Sequence, residues 1–135
     1  MNYPQLIQQV LTWDKLETQF QSLSSGEERY RQLLLLGKAL PRIEPEKCIA
    51  KNEVQGCESK SWFYSDDQNI WIDSEARVIR GLIYLLLLLC QHTQDPALLM
   101  QLDLPAILNK LKLQQFLSTS RINGIQAIWS LLIHQ

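Results

Sequence analysis

No basic block interrupts this chain: 13 lysines and arginines stand against 14 aspartates and glutamates, for a net charge of −1. A protein that tracks a phosphate backbone clusters its cations in a patch or stripe, so no nucleic-acid partner is expected. Long apolar runs are missing as well. The most apolar window, Gly81 to Cys90, is half the roughly 20 residues that a membrane-spanning helix needs. No membrane partner is expected either, and a buried core helix fits the window better. Histidine is scarce. His92 and His134 each fall near a predicted helix end, with no second ligand at metal spacing and no neighbouring carboxylate to orient a Cys–His pair. A zinc site needs three or four converging ligands, so no metal is expected. The five glycines are scattered singly, which leaves no phosphate cradle and no sign of a bound cofactor. Cysteine numbers three, at positions 48, 57 and 90. None forms a Cys-x-x-Cys pair, and the opening Met1-Asn2-Tyr3-Pro4-Gln5 lacks the blocks of an export signal. Free thiols in a reducing cytoplasm are expected.

What is present points to one domain spanning residues 1–135. Apolar residues make up 46% of the chain and charged ones 20%, enough to bury a core without disulfides. Residues 4 to 40 read as two helices. Leu6, Val10, Trp13, Leu16 and Phe20 fall at helical spacing after Pro4, and Ser25 with Glu28 forms a capping box ahead of Tyr30, Leu33, Leu34 and Leu40. Trp62-Phe63-Tyr64 and Ile70-Trp71-Ile72 flank the polar turn Asp66 to Asn69 as a hairpin, and Val54 is placed to begin a third strand. Asp73 and Ser74 are read as the cap of a central helix carrying the leucine run. Asp95-Pro96 and Asp103-Leu104-Pro105 open two short helices. Ser118-Thr119-Ser120 opens a last one with Ile122, Ile125, Ile128, Trp129 and Leu132 on its buried side. Gly124 inside that helix costs about 1 kcal/mol relative to alanine, which implies close approach of another backbone.

Cys57 is the leading candidate for chemistry. It follows Gly56 in a polar stretch with Gln55, Glu58, Ser59 and Lys60 around it, whereas a thiol that only fills space sits among aliphatic neighbours. Its reactivity depends on a cation, a helix N-terminus or hydrogen bonds to sulfur. A half-buried loop cysteine without a role is the alternative, and the residue alone leaves both open. Cys90, ending the leucine run, reads as packing. Arg121 stands in the first turn of the last helix, where the dipole favours anions, so its placement makes sense if it serves a partner or an anion. Glu75 reads as a first-turn, dipole-matching carboxylate of the central helix.

Four stretches, in order, resemble the SufE/CsdE family of sulfur acceptors for cysteine desulfurases. They are Arg29 to Pro41, Asn52 to Trp62, Asp73 to Leu82, and Leu117 to Gly124. The second is similar to the family signature Asn-x-Val-x-Gly-Cys-x-Ser-x-x-Trp, with Glu58 and Lys60-Ser61 where the family often has glutamine and apolar residues. The resemblance implies an α+β fold: a small curved antiparallel sheet of about three strands with helices packed on one side, akin to iron–sulfur scaffold proteins. It implies that Cys57 takes persulfide sulfur from a pyridoxal-phosphate cysteine desulfurase, stimulates that enzyme, and passes the sulfur to iron–sulfur assembly or another sulfur pathway. Pyridoxal phosphate would belong to the partner. Glu75 and Arg121 match family positions tied to the cysteine loop or the desulfurase contact, and Asn52 and Gly56 match the signature. An iron–sulfur scaffold of similar fold is the alternative function. It requires several convergent ligands, and the chain offers one well-placed cysteine.

Overall fold

A helix that is apolar on every side has to be surrounded, and the leucine run is the axis of the molecule. In the computed structural model, which describes all 135 residues, the central helix α3 (Arg77–His92) is buried without a break from Val78 to Cys90. It follows α1 (Trp13–Ser22), α2 (Gly26–Ala39), and the strands β1 (Ser61–Ser65) and β2 (Ile70–Ser74) in the chain. After it come α4 (Pro96–Gln101), α5 (Leu104–Lys110) and α6 (Thr119–Ile133). Helices α1, α2 and α6 and strand β2 all pack on α3. The α2–α3 crossing is closest where Gly37 faces Gly81. A methyl group at Gly37 would strike the Arg77 carbonyl oxygen, and one at Gly81 the Leu33 carbonyl oxygen.

The class is α+β, with a single two-stranded antiparallel sheet pairing Ser61 with Ser74 and Ser65 with Ile70. Asp66 closes the hairpin by accepting the amides of Gln68 at 2.9 Å and Asn69 at 2.8 Å. The third strand expected from Val54 shrinks to one bridge, Glu53 with Trp62, in which the Val54 amide donates to the Ser61 carbonyl at 2.8 Å. Gly56 explains why pairing stops there: its φ of +90° turns the chain out of extended backbone.

Three other expectations need correction. The first helix does not run from Pro4: Pro4–Leu6 is a single 3-10 turn, and α1 begins at Trp13 behind the cap Thr12. Asn2 is bridged to Asn69, and the Gln5 side chain donates to the carbonyls of Pro41 and Ile72 at 2.7 and 2.8 Å. These ties hold the N-terminal segment against the sheet, and Val10 is left 87% exposed. Ile122 also faces solvent, while Ile125, Ile128, Trp129 and Leu132 are buried.

The third correction bears on the site. Asp73 does not cap α3. It is buried, pairs with Arg80, and accepts the amides of Ser74 at 2.8 Å and Ile43 at 3.3 Å. Helix α3 therefore starts three residues later than Ser74, with Ala76 as its N-cap and no side-chain cap on Ala76. The other caps fall where the sequence puts them: Ser25, Asp95, Asp103 and Ser118 each accept an amide from the turn that follows.

Candidate functional site

Cys57 sits, half-buried, on the loop that leads from Glu53 into β1 and is closed by the Glu53–Trp62 bridge. The turn at Gly56 directs it inward, and its thiol donates to the Gly124 carbonyl of α6 at 3.5 Å. Gly124 is what allows that contact, since a β-carbon there would lie 3.2 Å from the sulfur. The glycine that looked out of place in a helix thus answers to the loop cysteine, whose own α-carbon would lie 3.6 Å from such a group.

The sulfur opens onto a cleft of about 420 Å³. Tyr30 and Leu34 of α2 form one wall, Ala76 to Ile79 at the start of α3 another, and Ser120 and Arg121 at the start of α6 a third. Two helix N-termini therefore converge beside the thiol. The opening amides of a helix have no intrahelical acceptor. At α3 the N-cap Ala76 supplies no side-chain oxygen, whereas at α6 Ser118 accepts the Arg121 amide at 3.3 Å. Arg121 lines the cleft and is held by donating from its guanidinium to the Phe116 carbonyl at 2.9 Å.

Of the other residues singled out around the site, Arg121, Gly124, Glu58 and Ser59 share the cleft with Cys57, while Asn52, Gly56 and Glu75 do not line it. Asn52 closes a 3-10 turn upstream, where its amide donates to the Lys47 carbonyl at 2.8 Å. It shapes the entry to the cysteine loop from outside the cleft. Glu75 lies before the N-cap of α3 and not in its first turn, is exposed, and opens onto the neighbouring groove between α2 and α3. Its amide ties β2 to the loop by donating to the Lys60 carbonyl at 2.9 Å.

Arg77 is the residue sequence reasoning missed. It occupies the first position of α3 and lines the Cys57 cleft. Like Arg121, it is a cation where the helix dipole favours an anion. A helix start at Asp73-Ser74, as local cap chemistry implies, would put Arg77 deeper in the helix and away from its dipole-disfavoured end. Cys48 and Cys90 play no part in the cleft. Burial raises the Cys90 thiol to about 12, and no three His, Cys, Asp or Glu side chains converge as a metal-binding group.

Burial also raises the pKa of Cys57, and the Ser61 hydroxyl offsets this only in part. In this position the sulfur is held as a protonated thiol at neutral pH. Alkylation by iodoacetamide, followed residue by residue by mass spectrometry, should therefore inflect at a higher pH for Cys57 in the folded protein than in a peptide of residues 52–62. A thiolate is the reactive form and a raised pKa delays its appearance. An inflection below that of the peptide would contradict this environment.

A family model described as SufE, Fe-S metabolism associated domain, matches residues 14–135. The sulfur acceptor protein CsdE of Escherichia coli K12 is 34% identical over 128 residues, covering 91% of this chain and 86% of that protein. An uncharacterized SufE-like protein of Rhizobium etli is 34% identical over 124 residues, covering 85% of this chain and 82% of the relative.

Proposed function

The chain belongs to the SufE family, and from that premise we propose that it is a sulfur acceptor, with Cys57 receiving sulfur from the persulfide of a pyridoxal-phosphate cysteine desulfurase. One observation carries the reading. The cysteine of the signature loop faces a cleft rimmed by two helix N-termini, Arg77 and Arg121, against a single lining carboxylate, Glu58. Such surroundings favour an anion, and both the attacking thiolate and the persulfide it becomes are anions.

The reaction is thiol–disulfide exchange in form. The Cys57 thiolate attacks the terminal sulfur of the donor persulfide, and the donor's sulfur–sulfur bond breaks. The electron pair leaves with the donor's cysteine as thiolate, while a new sulfur–sulfur bond forms on Cys57. Sulfur moves with no net oxidation or reduction, at a rate set by thiolate fraction and access. The resting thiol has little thiolate, because it is half-buried against α6 and bonded to the Gly124 carbonyl. Docking of the donor draws the loop outward, which removes the desolvation and releases the nucleophile. Clearing the donor's persulfide stimulates its turnover, and the loaded Cys57 hands the sulfur to iron–sulfur assembly or another sulfur-using acceptor.

The test is to incubate the protein with a cysteine desulfurase and cysteine, then map added sulfur by intact and peptide mass spectrometry. Sulfur on the Cys57 peptide, with faster desulfurase turnover, is the expected result. An unmodified Cys57 with turnover unchanged would sink the proposal. Stoichiometric bound iron would favour a scaffold instead.

A further inference from the structure

A second groove adjoins the thiol cleft, and Arg77 lines both. It runs between the C-terminal end of α2 and the start of α3, over Lys38, Leu40, Arg42 and Glu75, with a volume of about 610 Å³. Its charge is unbalanced. Lys38, Arg42, Arg77 and Arg80 are its cations and Glu75 its one lining carboxylate, with Asp73 reached from the groove residues Arg42 and Arg80. Asp73 is already committed to buried Arg80, and Arg42, 67% exposed, reaches it only at 3.8 Å. Lys38 and Arg77 are exposed and make no ion pair. In a chain of net charge −1, this is a local surplus of positive charge.

The ordinary explanation covers Lys38, since a cation at a helix C-terminus complements the dipole. It fails for Arg77, which sits at the dipole-disfavoured end of α3, as Arg121 does at α6. Both arginines line one cleft against their own helix dipoles, but Arg121 is tied to the Phe116 carbonyl, whereas Arg77 makes no side-chain hydrogen bond or ion pair within the fold and is left to meet something outside it. We propose that Lys38, Arg42 and Arg77 form a basic docking face for an acidic protein surface on the sulfur donor, positioned so that the donor's persulfide enters the cleft past Arg77. This rests on the sulfur-acceptor reading and names the chemistry of the contact: carboxylate side chains of the donor against the α2–α3 groove. Charges at an interface rim act mainly on encounter rate and salt dependence.

The measurement is the affinity and association rate of the full chain for a holo cysteine desulfurase that loads the wild type, by biolayer interferometry across a range of salt. Wild-type association should slow steeply as salt rises, because exposed charges are screened beyond about 10 Å at 0.1 M. Lys38→Glu with Arg77→Glu should weaken binding by about tenfold or more at low salt and flatten its salt dependence. Lys15→Glu reverses an exposed cation on α1 away from the groove and should bind as the wild type does. If the wild type loads sulfur but its association ignores salt and survives the double reversal, the docking face is wrong and the carrier reading stands. If the wild type takes up no sulfur from any desulfurase, the carrier reading itself falls. If the double variant folds poorly, the single reversals Lys38→Glu and Arg77→Glu, both at exposed positions, carry the same comparison against Lys15→Glu.

Discussion

Cys57→Ser is expected to take up no sulfur from a cysteine desulfurase, while Cys48→Ser and Cys90→Ser load as the wild type does. The contrast follows from where the three thiols lie. Cys90 is packed in the core and held protonated by burial, with a pKa of about 12. Cys48, in the turn before Asn52, is also raised by burial and lies outside the cleft. Only Cys57 combines a route to solvent with anion-favouring walls. Serine is close in size and keeps a donor facing the Gly124 carbonyl, so at this half-buried position the fold should tolerate the exchange at a cost of about 1 kcal/mol. A hydroxyl cannot replace the thiol, because an alkoxide is inaccessible at neutral pH and forms no persulfide. The readout is sulfur on the intact protein together with desulfurase turnover. Both should fall to the level seen without the acceptor. Loading retained on Cys57→Ser at wild-type level would move the acceptor to another residue.

How much of this was legible beforehand depended on whether a feature is local. The Cys57 loop was readable because Gly56, the polar flanks and the signature spacing are all sequence-near. Its partner Gly124 lies 67 residues away, yet left a trace as a helix-interior glycine with no local purpose. The central helix was readable because thirteen consecutive buried residues, Val78 to Cys90, allow no exposed face. Failures arose where a tertiary contact overrode local preference. Gln5 spends its side chain on Pro41 and Ile72, so helical spacing from Pro4 did not make a helix. Asp73 has ideal cap chemistry, yet a buried arginine one helical turn into α3 claimed it. That single substitution of partner displaced the helix start, put Glu75 outside the cleft and hid Arg77.

The same ion pair sets the last prediction: Asp73→Ala should destabilise the protein by about 3–5 kcal/mol, the range for removing one partner of a buried pair. Asp73 and Arg80 are both nearly inaccessible, at 3% and 4% side-chain exposure. Burial and nearby Arg42 lower the Arg80 pKa only to about 10, so its guanidinium remains charged at neutral pH and would be stranded. The amides of Ser74 and Ile43 would lose their acceptor as well. A domain of this size has about 5–15 kcal/mol in total, so a large share of its stability is at stake. With a urea slope of about 1–3 kcal/mol per molar, the unfolding midpoint should drop by roughly 2 M. Replacing both partners with apolar residues often restores such a site, but here it should not. Arg80 also donates to the carbonyls of Gly37 and Leu40, and Asp73→Ala/Arg80→Leu would leave those buried acceptors at the end of α2 unpaired. The double variant should therefore remain well below the wild type in the same titration. Recovery to wild-type stability would mean that Arg80 serves the pair alone. Persistent loss would identify it as the clamp joining α2 to the start of α3, the junction from which Arg77 reaches the Cys57 cleft.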